Sequence, residues 1–215
     1  MIIPAIIPKS LDDLKDKLAL LSFAPAVQID LVDGKFVENV SWPYEPVGAA
    51  ADATALIEDH EIEVDLMVDN PVLVAKDWLT IGAKRIVIHL ESLSSVEDIL
   101  SLKDNTHVLL GLAINNDTPI ERLHPFVDQI DFVQLMGIAS IGKQGEPFDD
   151  RVIDRITTIR SLYPNLTITV DGAVGKTNLA ALKNAGANRF VVGSAILNSA
   201  DPESTYEDLL KIIAS

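Results

Sequence analysis

The sequence predicts a closed barrel of eight β/α units, and three observations support this fold class. Short runs of β-branched residues alternate with helical patterns along the chain, about one helix in each gap between strands. The turn after the first run, Ile7-Pro8-Lys9-Ser10, lacks the glycines that an open dinucleotide-binding sheet places there. Glycine-rich turns follow the late runs instead, where barrels often bind phosphate. The 215 residues contain no linker or low-complexity tract, so we expect one domain over residues 1–215.

Eight segments have the strand pattern and several gaps have helix signals. Ser10 is the expected N-cap of a helix that ends at Leu21, and Pro71 begins a helix that ends near Ile81, before Gly82. A helix from Lys176 to Ala185 ends at Gly186, and the last helix runs from about Ser204 to Ile213. The predicted strands are Ile2–Ile7, Ala26–Leu31, Glu61–Val68, Arg85–Leu90, His107–Ile114, Ile130–Met136, Leu166–Asp171 and Arg189–Val192.

Composition excludes several classes of function. The chain has 17 basic and 32 acidic residues, a formal charge of -15, which repels nucleic acid and anionic membranes as partners. The absence of cysteine excludes disulfides, thiolate metal sites and cysteine nucleophiles. The first residues lack a basic stretch before an apolar one, and no apolar run reaches membrane-spanning length, so we expect a cytoplasmic protein.

Polar residues alternate with apolar ones in several predicted strands, so they share the face that points into the barrel. Strand two carries Gln28 and Asp30 on that face, strand three Glu63, Asp65 and Met67, strand four His89 and strand seven Thr169 and Asp171. Active sites of this fold lie at the carboxyl ends of the strands. Because unpaired buried carboxylates are costly, chains that keep them usually pair them or bind a metal with them. Asp30, Asp65 and Asp171 are therefore candidate functional residues.

Glycine-rich segments follow three consecutive strands. Glycine allows backbone amides to approach an anion closely, so these three segments together predict a phosphate site. The segments are residues 136–145, residues 171–175 and Gly193-Ser194-Ala195.

At these residues the chain resembles the ribulose-phosphate 3-epimerase family nearly from end to end. That resemblance implies a (β/α)8 TIM barrel of the ribulose-phosphate-binding type. It also implies epimerisation of a ketopentose phosphate at C3, a small phosphorylated sugar as partner, and a homo-oligomer. The segments that carry the resemblance are residues 29–37, residues 66–71, His89 with Glu91, Leu135-Met136, residues 142–148, residues 170–172, residues 185–187 and residues 192–196.

The resemblance also implies residue roles. In the family two aspartates exchange the proton through an enediolate, and a divalent metal held by those aspartates and two histidines stabilises the oxyanion. Asp30 and Asp171 match the two aspartates. The phosphate is assigned to the backbone around Gly142, Gly145, Gly172, Gly193 and Ser194, and the substrate pocket to Met67, Met136 and, as an inward residue, His89.

The chain departs from the family pattern at the metal. The two metal histidines of the family fall at Gln28 and Asp65, a substrate-contacting serine falls at Pro8, and a glycine after the strand-seven aspartate falls at Ala173. Both imidazole ligands are therefore absent. The loop at residues 138–141 also differs from the family and is one residue longer.

Three readings follow for the site. In the first, a metal is held by the oxygens of Gln28, Asp30, Asp65 and Asp171, and such ligands suit Mg²⁺ or Mn²⁺ better than Zn²⁺. In the second, no metal binds and Asp65 shares a proton with its neighbours. In the third, the protein binds a phosphorylated ligand without turnover. A related decarboxylase is disfavoured, because strand three lacks the lysine of the decarboxylase motif.

Overall fold

Eight parallel strands close into a barrel in the computed structural model, which describes residues 1–103 and 108–214. Strand order follows the sequence, and β8 pairs with β1 to close the sheet. The predicted β/α barrel is therefore confirmed, while the predicted start of the fifth strand, His107, lies outside the described residues. The strands are β1 Ile2–Ile6, β2 Ala26–Val32, β3 Glu61–Met67, β4 Arg85–His89, β5 Leu109–Ile114, β6 Phe132–Met136, β7 Thr167–Asp171 and β8 Arg189–Val192.

Seven α-helices lie among the described residues, and two gaps between strands lack one. The expectation of a helix in each gap is wrong for β2–β3 and β5–β6, which contain only the 3₁₀ turns Ala50–Leu56, Ile120–Leu123 and Val127–Gln129. Prolines at 43, 46, 119 and 125 interrupt these gaps, because proline cannot occupy a helix interior. The helices are α1 Leu11–Leu20, α2 Pro71–Thr80, α3 Val96–Lys103, α4 Arg151–Leu162, α5 Leu179–Ala185, α6 Ser194–Leu197 and α7 Pro202–Ala214.

The helix ends follow the predicted signals. The Ser10 hydroxyl accepts a hydrogen bond from the Asp13 backbone amide at 3.0 Å, so it caps α1. Pro71 is the first residue of α2, and Gly186 ends α5 in the left-handed conformation with a φ of 117°. Helix α5 begins at Leu179 rather than at Lys176.

Alternate strand residues separate two layers of packing. Val27, Ile29 and Leu31 point outward and pack with Leu14 and Leu18 of α1 in one large apolar cluster. The inward face is polar in several strands and positions the site. No helix in the described part of the chain is long and apolar enough to cross a membrane.

A buried ion pair fills the lower barrel. Arg189 of β8 pairs with Glu63 of β3 and donates to the Thr169 hydroxyl at 3.2 Å. Its guanidinium carbon also lies 4.4 Å from the centroid of the Phe132 ring. Burial raises the pKa of Glu63, although the charge of Arg189 opposes that effect. Glu63 precedes Asp65 by two residues on β3, so this ion pair lies one inward position below the aspartates.

Candidate active site

Three aspartates converge at the carboxyl ends of their strands, inside the barrel. Asp30 and Asp65 are paired neighbours in the register of β2 and β3, and Asp171 is the last residue of β7. One carboxylate oxygen of each residue lies within 4.8 Å of the other two. Asp30 and Asp65 are buried and Asp171 is partly exposed. The three carboxylates that strand alternation predicts on the inward face therefore lie together in the structure.

A glutamine amide joins two of these carboxylates. Gln28 is fully buried on β2, two residues before Asp30. Its Nε2 group donates to Asp30 Oδ1 and to Asp171 Oδ2, both at 2.8 Å. The residue that stands in place of a family histidine therefore contacts both proposed acid/base residues.

A second glutamine, which the sequence reasoning missed, joins the other pair. Gln134 Nε2 donates to Asp65 Oδ2 at 2.9 Å and to Asp171 Oδ2 at 3.3 Å. The signal was present in the sequence, because Gln134 alternates with Met136 on β6 in the way that Gln28 alternates with Asp30 on β2. A continuous series of hydrogen bonds therefore runs from Asp30 through Gln28, Asp171 and Gln134 to Asp65.

Burial and the neighbouring negative charges raise the pKa values of Asp30 and Asp171. Burial and, after it, the nearby charge of Asp65 raise the pKa of Asp171 to about 7, against the opposing effect of the Gln28 hydrogen bond. Burial and the charges of Asp171 and Asp65 raise the pKa of Asp30 well above its ordinary value. Without a cation, the cluster therefore retains protons near neutral pH.

His89 lies behind the aspartates. Its Nε2 atom is 3.3 Å from Asp65 Oδ1 and its Nδ1 atom is 3.9 Å from Glu91 Oε2. Burial lowers the pKa of His89, but the carboxylates of Asp65 and Glu91 outweigh burial, so that the pKa is raised. The ring is fully buried, packs 5.6 Å from the Phe36 ring and does not line the cavity described next. His89 contacts Asp65, and a substrate role for it stays a prediction.

A small cavity connects the aspartates to the glycine-rich loops. Its volume is about 60 Å³. Asp30 and Asp171 line one part of it and Met67 and Met136 form apolar walls. The predicted phosphate residues Gly142, Gly145, Gly172, Gly193 and Ser194 all line the same cavity. The predicted catalytic residues and the predicted phosphate residues therefore line one cavity.

The backbone around the five predicted phosphate residues, which we call the phosphate cradle as a prediction of its role, is tightly packed at Gly142, Gly172 and Gly193. Gly172 has a φ of 100°, and Ala173, where the family has glycine, also adopts a positive φ of 51°. A Cβ atom on Gly193 would lie 2.8 Å from the Nε2 atom of Gln144, which reaches into the cradle from the β6 loop. Gln144 is a polar lining residue that the sequence reasoning did not single out. Two lysines near these loops form ion pairs with acidic side chains: Lys143 with Glu146 at 3.1 Å and Lys176 with Asp208 at 2.8 Å.

Two loops meet over the mouth of the barrel. Asn39, in the loop after β2, donates its side-chain amide to the Gly142 carbonyl at 2.9 Å. Val37 packs so closely on Gly142 that a Cβ atom there would lie 2.6 Å from a Val37 methyl. The cavity beneath is far smaller than the roughly 300–1,000 Å³ of typical ligand pockets. A sugar phosphate would thus need these loops to move apart.

The donor set of the cluster fits a hard divalent cation. One oxygen of each of the three carboxylates lies within 4.8 Å of the other two, and Gln28 Oε1 is buried without a hydrogen-bond partner among the described residues. Oxygen ligands of this kind suit Mg²⁺ or Mn²⁺, whereas the site has no sulfur ligand and its one nearby imidazole lies behind Asp65. The oxygen atoms that such a cation prefers are thus present in the side chains of Gln28, Asp30, Asp65 and Asp171.

Comparison of the sequence with protein families gives a match over most of the chain. A family described as "Ribulose-phosphate 3 epimerase family" matches residues 1–197. The ribulose-phosphate 3-epimerase of Schizosaccharomyces pombe is 28% identical over 184 residues, which cover 85% of this chain and 79% of that protein. The ribulose-phosphate 3-epimerase of Bacillus subtilis is 27% identical over 192 residues and covers 86% of both chains.

Comparison with solved structures finds the same fold in other sugar-phosphate enzymes. The 3-hexulose-6-phosphate synthase from Salmonella typhimurium superposes with a TM-score of 0.74 at 14% identity, over 99% of this chain and 98% of that one. The 3-keto-L-gulonate-6-phosphate decarboxylase from Vibrio cholerae gives a TM-score of 0.72 at 17% identity, over 100% and 97%. At such low identity these likenesses establish the fold alone.

Proposed function

The chain belongs to the ribulose-phosphate 3-epimerase family, and from this premise we propose that it inverts a carbon next to the ketone of a ketose phosphate. The observation that carries the proposal is the shared cavity. Asp30 and Asp171 line the space that the glycine-rich loops also line, so one small ligand can contact both. Ribulose 5-phosphate is the proposed substrate, because relatives along most of the chain are named as ribulose-phosphate 3-epimerases.

Asp30 and Asp171 carry the proton transfer in this proposal. One aspartate, ionised, removes the proton from C3 and the bonding electrons move to form the C2–C3 enediolate. The other, protonated, returns a proton to C3 from the opposite side. The raised pKa values of both groups support these roles, because a catalytic acid or base is most effective when its pKa lies near the working pH.

The cluster holds a divalent metal in the proposed enzyme, with Gln28, Asp30, Asp65 and Asp171 as ligands and Mg²⁺ or Mn²⁺ as the ion. When bound, the metal supplies positive charge that stabilises the developing oxyanion of the enediolate. The Gln28 amide contacts both Asp30 and Asp171, so it fixes their positions relative to each other. Burial of Asp65 and His89 excludes water from the rear of the cluster.

Substrate binding depends on the loops that follow β6, β7 and β8. Backbone amides around Gly142, Gly145, Gly172, Gly193 and Ser194 take the phosphate in this proposal, which offsets the repulsion from the acidic surface. Met67 and Met136 form the apolar sides of the pocket beside the reacting carbons. The Gln144 amide next to Gly193 is a further donor within reach of the phosphate.

A metal-free relative is the second candidate, and one observation favours it. The amides of Gln28 and Gln134 already satisfy oxygens of all three carboxylates with hydrogen bonds. Such a protein would rely on neutral donors, which stabilise an enediolate less than a cation does. A decarboxylase is disfavoured, because β3 contains no lysine.

Conversion of ribulose 5-phosphate to xylulose 5-phosphate tests the proposal. We expect turnover by the purified protein with Mg²⁺ or Mn²⁺, and loss of most of it after treatment with a chelator. Full turnover in the presence of chelator would favour the metal-free enzyme. Thermal stabilisation by the sugar phosphate without any turnover would contradict the epimerase and indicate binding alone.

A further inference from the structure

Gln134 occupies a central place in the carboxylate cluster. Its side chain is fully buried, and its amide nitrogen contacts Asp65 and Asp171 at 2.9 and 3.3 Å. Gln28 makes the equivalent pair of bonds to Asp30 and Asp171, both at 2.8 Å. The amide nitrogen of each glutamine therefore lies between two carboxylates and donates a hydrogen bond to each. The two glutamines act as neutral braces within a group of acidic side chains that repel one another.

The carbonyl oxygens of the two amides lack hydrogen-bond partners among the described residues. Oε1 of Gln28 and Oε1 of Gln134 are both buried without a hydrogen-bond partner among the described residues. A buried carbonyl oxygen without a partner costs about 1–3 kcal/mol. The orientation in which the two amides bind the carboxylates is therefore unfavourable for the carbonyl oxygens of the same two amides.

Rotation of an amide by half a turn exchanges its nitrogen and oxygen. Without a cation, the rotated state would direct two amide oxygens at carboxylates, which is repulsive. With a divalent cation between them, the same rotation would present two amide oxygens beside three carboxylates. That is an all-oxygen ligand set of the kind that Mg²⁺ and Mn²⁺ prefer.

We propose that Gln134, together with Gln28, is an amide switch that braces the carboxylates without metal and turns to ligate the metal when it binds. Gln134 is a positioning residue in the first state and a ligand in the second. This inference rests on the metal site of the proposed function and adds a ligand to it. It explains how a chain without the family's histidines holds its acidic cluster together in both states.

Metal titration calorimetry of the wild type, Gln134→Met and Thr169→Val tests the switch. Methionine keeps the length of the side chain and removes the amide. We expect Gln134→Met to weaken Mn²⁺ binding by about 10-fold or more, as loss of a ligand or its support does. Thr169→Val is the matched control, because the Thr169 hydroxyl accepts a hydrogen bond from Arg189, and among the described residues no hydrogen bond joins it to the three aspartates. Its affinity for Mn²⁺ should equal that of the wild type within about twofold.

Side-chain amide signals in nuclear magnetic resonance give a second readout that a merely structural glutamine would not change. The Gln134 signal is assigned by its disappearance in Gln134→Met or, if that variant does not fold, in Gln134→Glu. In metal-free protein we expect its protons to be protected from exchange with solvent. Saturating Mg²⁺ should shift the signal and remove the protection. Gln134→Glu keeps an oxygen ligand and should bind Mn²⁺ at least as tightly as the wild type.

Two results would overturn the switch and separate it from the proposed function. Equal Mn²⁺ affinity in Gln134→Met and the wild type, with an amide signal that Mg²⁺ leaves unchanged, would overturn the switch alone. A wild type that binds neither Mg²⁺ nor Mn²⁺ would overturn the proposed metal site as well.

Discussion

Gly193 shows how a single missing side chain shapes the phosphate cradle. The space where its Cβ atom would lie is filled by the Gln144 amide at 2.8 Å and bounded by the Ala5 carbonyl at 3.5 Å. A larger residue would displace Gln144 and narrow a cavity of only about 60 Å³. The absence of a side chain at Gly193 thus leaves the space that the Gln144 amide occupies.

Gly193→Val is expected to weaken binding of ribulose 5-phosphate by about 100-fold or more, an order-of-magnitude expectation for lost backbone contacts to phosphate. Calorimetric titration with the sugar phosphate measures the change. Gly175→Ala is the control, because a Cβ atom there meets its nearest neighbour, Ala195, at an ordinary 3.8 Å. If Gly193→Val binds as tightly as this control, the phosphate does not lie at Gly193.

The inward residues of the site differ in how well the sequence reveals them. Gln28, Asp30, Asp65 and Asp171 could be predicted, because strand alternation and family motifs place them at the barrel mouth together. The alternation with Met136 places Gln134 on the inward face of β6, but its partners Asp65 and Asp171 lie on other strands and become visible only when the barrel closes. The pairing of Arg189 with Glu63 was hidden for the same reason, because the two residues are 126 positions apart.

Helix α1 begins where the sequence predicts because one side chain satisfies a free backbone amide. Replacement of Ser10 by alanine removes the acceptor for the Asp13 amide and should lower the free energy of unfolding by about 1 kcal/mol. Urea denaturation measures this difference. Ser22→Ala, at an exposed serine after the same helix, should change stability by less than about 0.5 kcal/mol. Equal effects of the two substitutions would contradict the cap.

The loops after β2 and β6 are joined by one side-chain hydrogen bond over the mouth. Asn39→Ala removes the donor to the Gly142 carbonyl, and loss of a bond of this type is worth about 0.5–1.5 kcal/mol. We expect the sugar phosphate to dissociate about 2- to 10-fold faster, because the closed arrangement is weakened. Stopped-flow displacement measures that rate. A dissociation rate identical to the wild type would show that the bond does not hold the ligand in.

The helices were less predictable than the strands. Short runs of β-branched residues marked all eight strands to within a few residues, although three of the predicted starts lie one or two residues early or outside the described residues. The gap at residues 115–131 is divided by prolines 119 and 125 into pieces too short for a helix, whereas residues 47–60 contain no proline and still form only a 3₁₀ turn. The regular alternation of strands and α-helices is therefore interrupted in these two gaps.

The molecule as a whole carries a formal charge of -15 and places three of its carboxylates within its barrel. An acidic group whose pKa is raised by folding binds more protons in the folded state than in the unfolded state. Its favourable contribution is complete below the unfolded pKa and is lost as pH rises through the folded pKa. The cluster therefore opposes folding of the metal-free protein at neutral pH.

The metal-free wild type should lose stability relative to Asp171→Asn as pH rises from about 4 to the folded pKa of Asp171, about 7. The difference should reach on the order of 4 kcal/mol, since the pKa rises from 3.8 to about 7, roughly 3 units, and each unit corresponds to about 1.4 kcal/mol. Urea denaturation with chelator present measures it at each pH. Addition of Mn²⁺ should reduce the loss in the wild type. A difference between the two proteins that does not vary with pH would contradict the raised pKa.

The assembly of the molecule stays a prediction. Exposed apolar side chains, among them Val47 and Leu73, line a groove beside α2. A homo-oligomer, as the family resemblance implies, would cover such a surface, and sedimentation velocity would establish the number of copies.

Exchange of the C3 proton of the substrate with deuterated solvent tests the two-aspartate mechanism most directly. Ribulose 5-phosphate and xylulose 5-phosphate are each incubated with the wild type, Asp30→Asn and Asp171→Asn, and deuterium at C3 is followed by nuclear magnetic resonance. We predict that the wild type exchanges the proton of both epimers. Each variant should lose interconversion while retaining exchange of one epimer only, a different epimer for each variant. Exchange of both epimers at the wild-type rate in either variant would contradict the assignment of Asp30 and Asp171 as the two proton carriers.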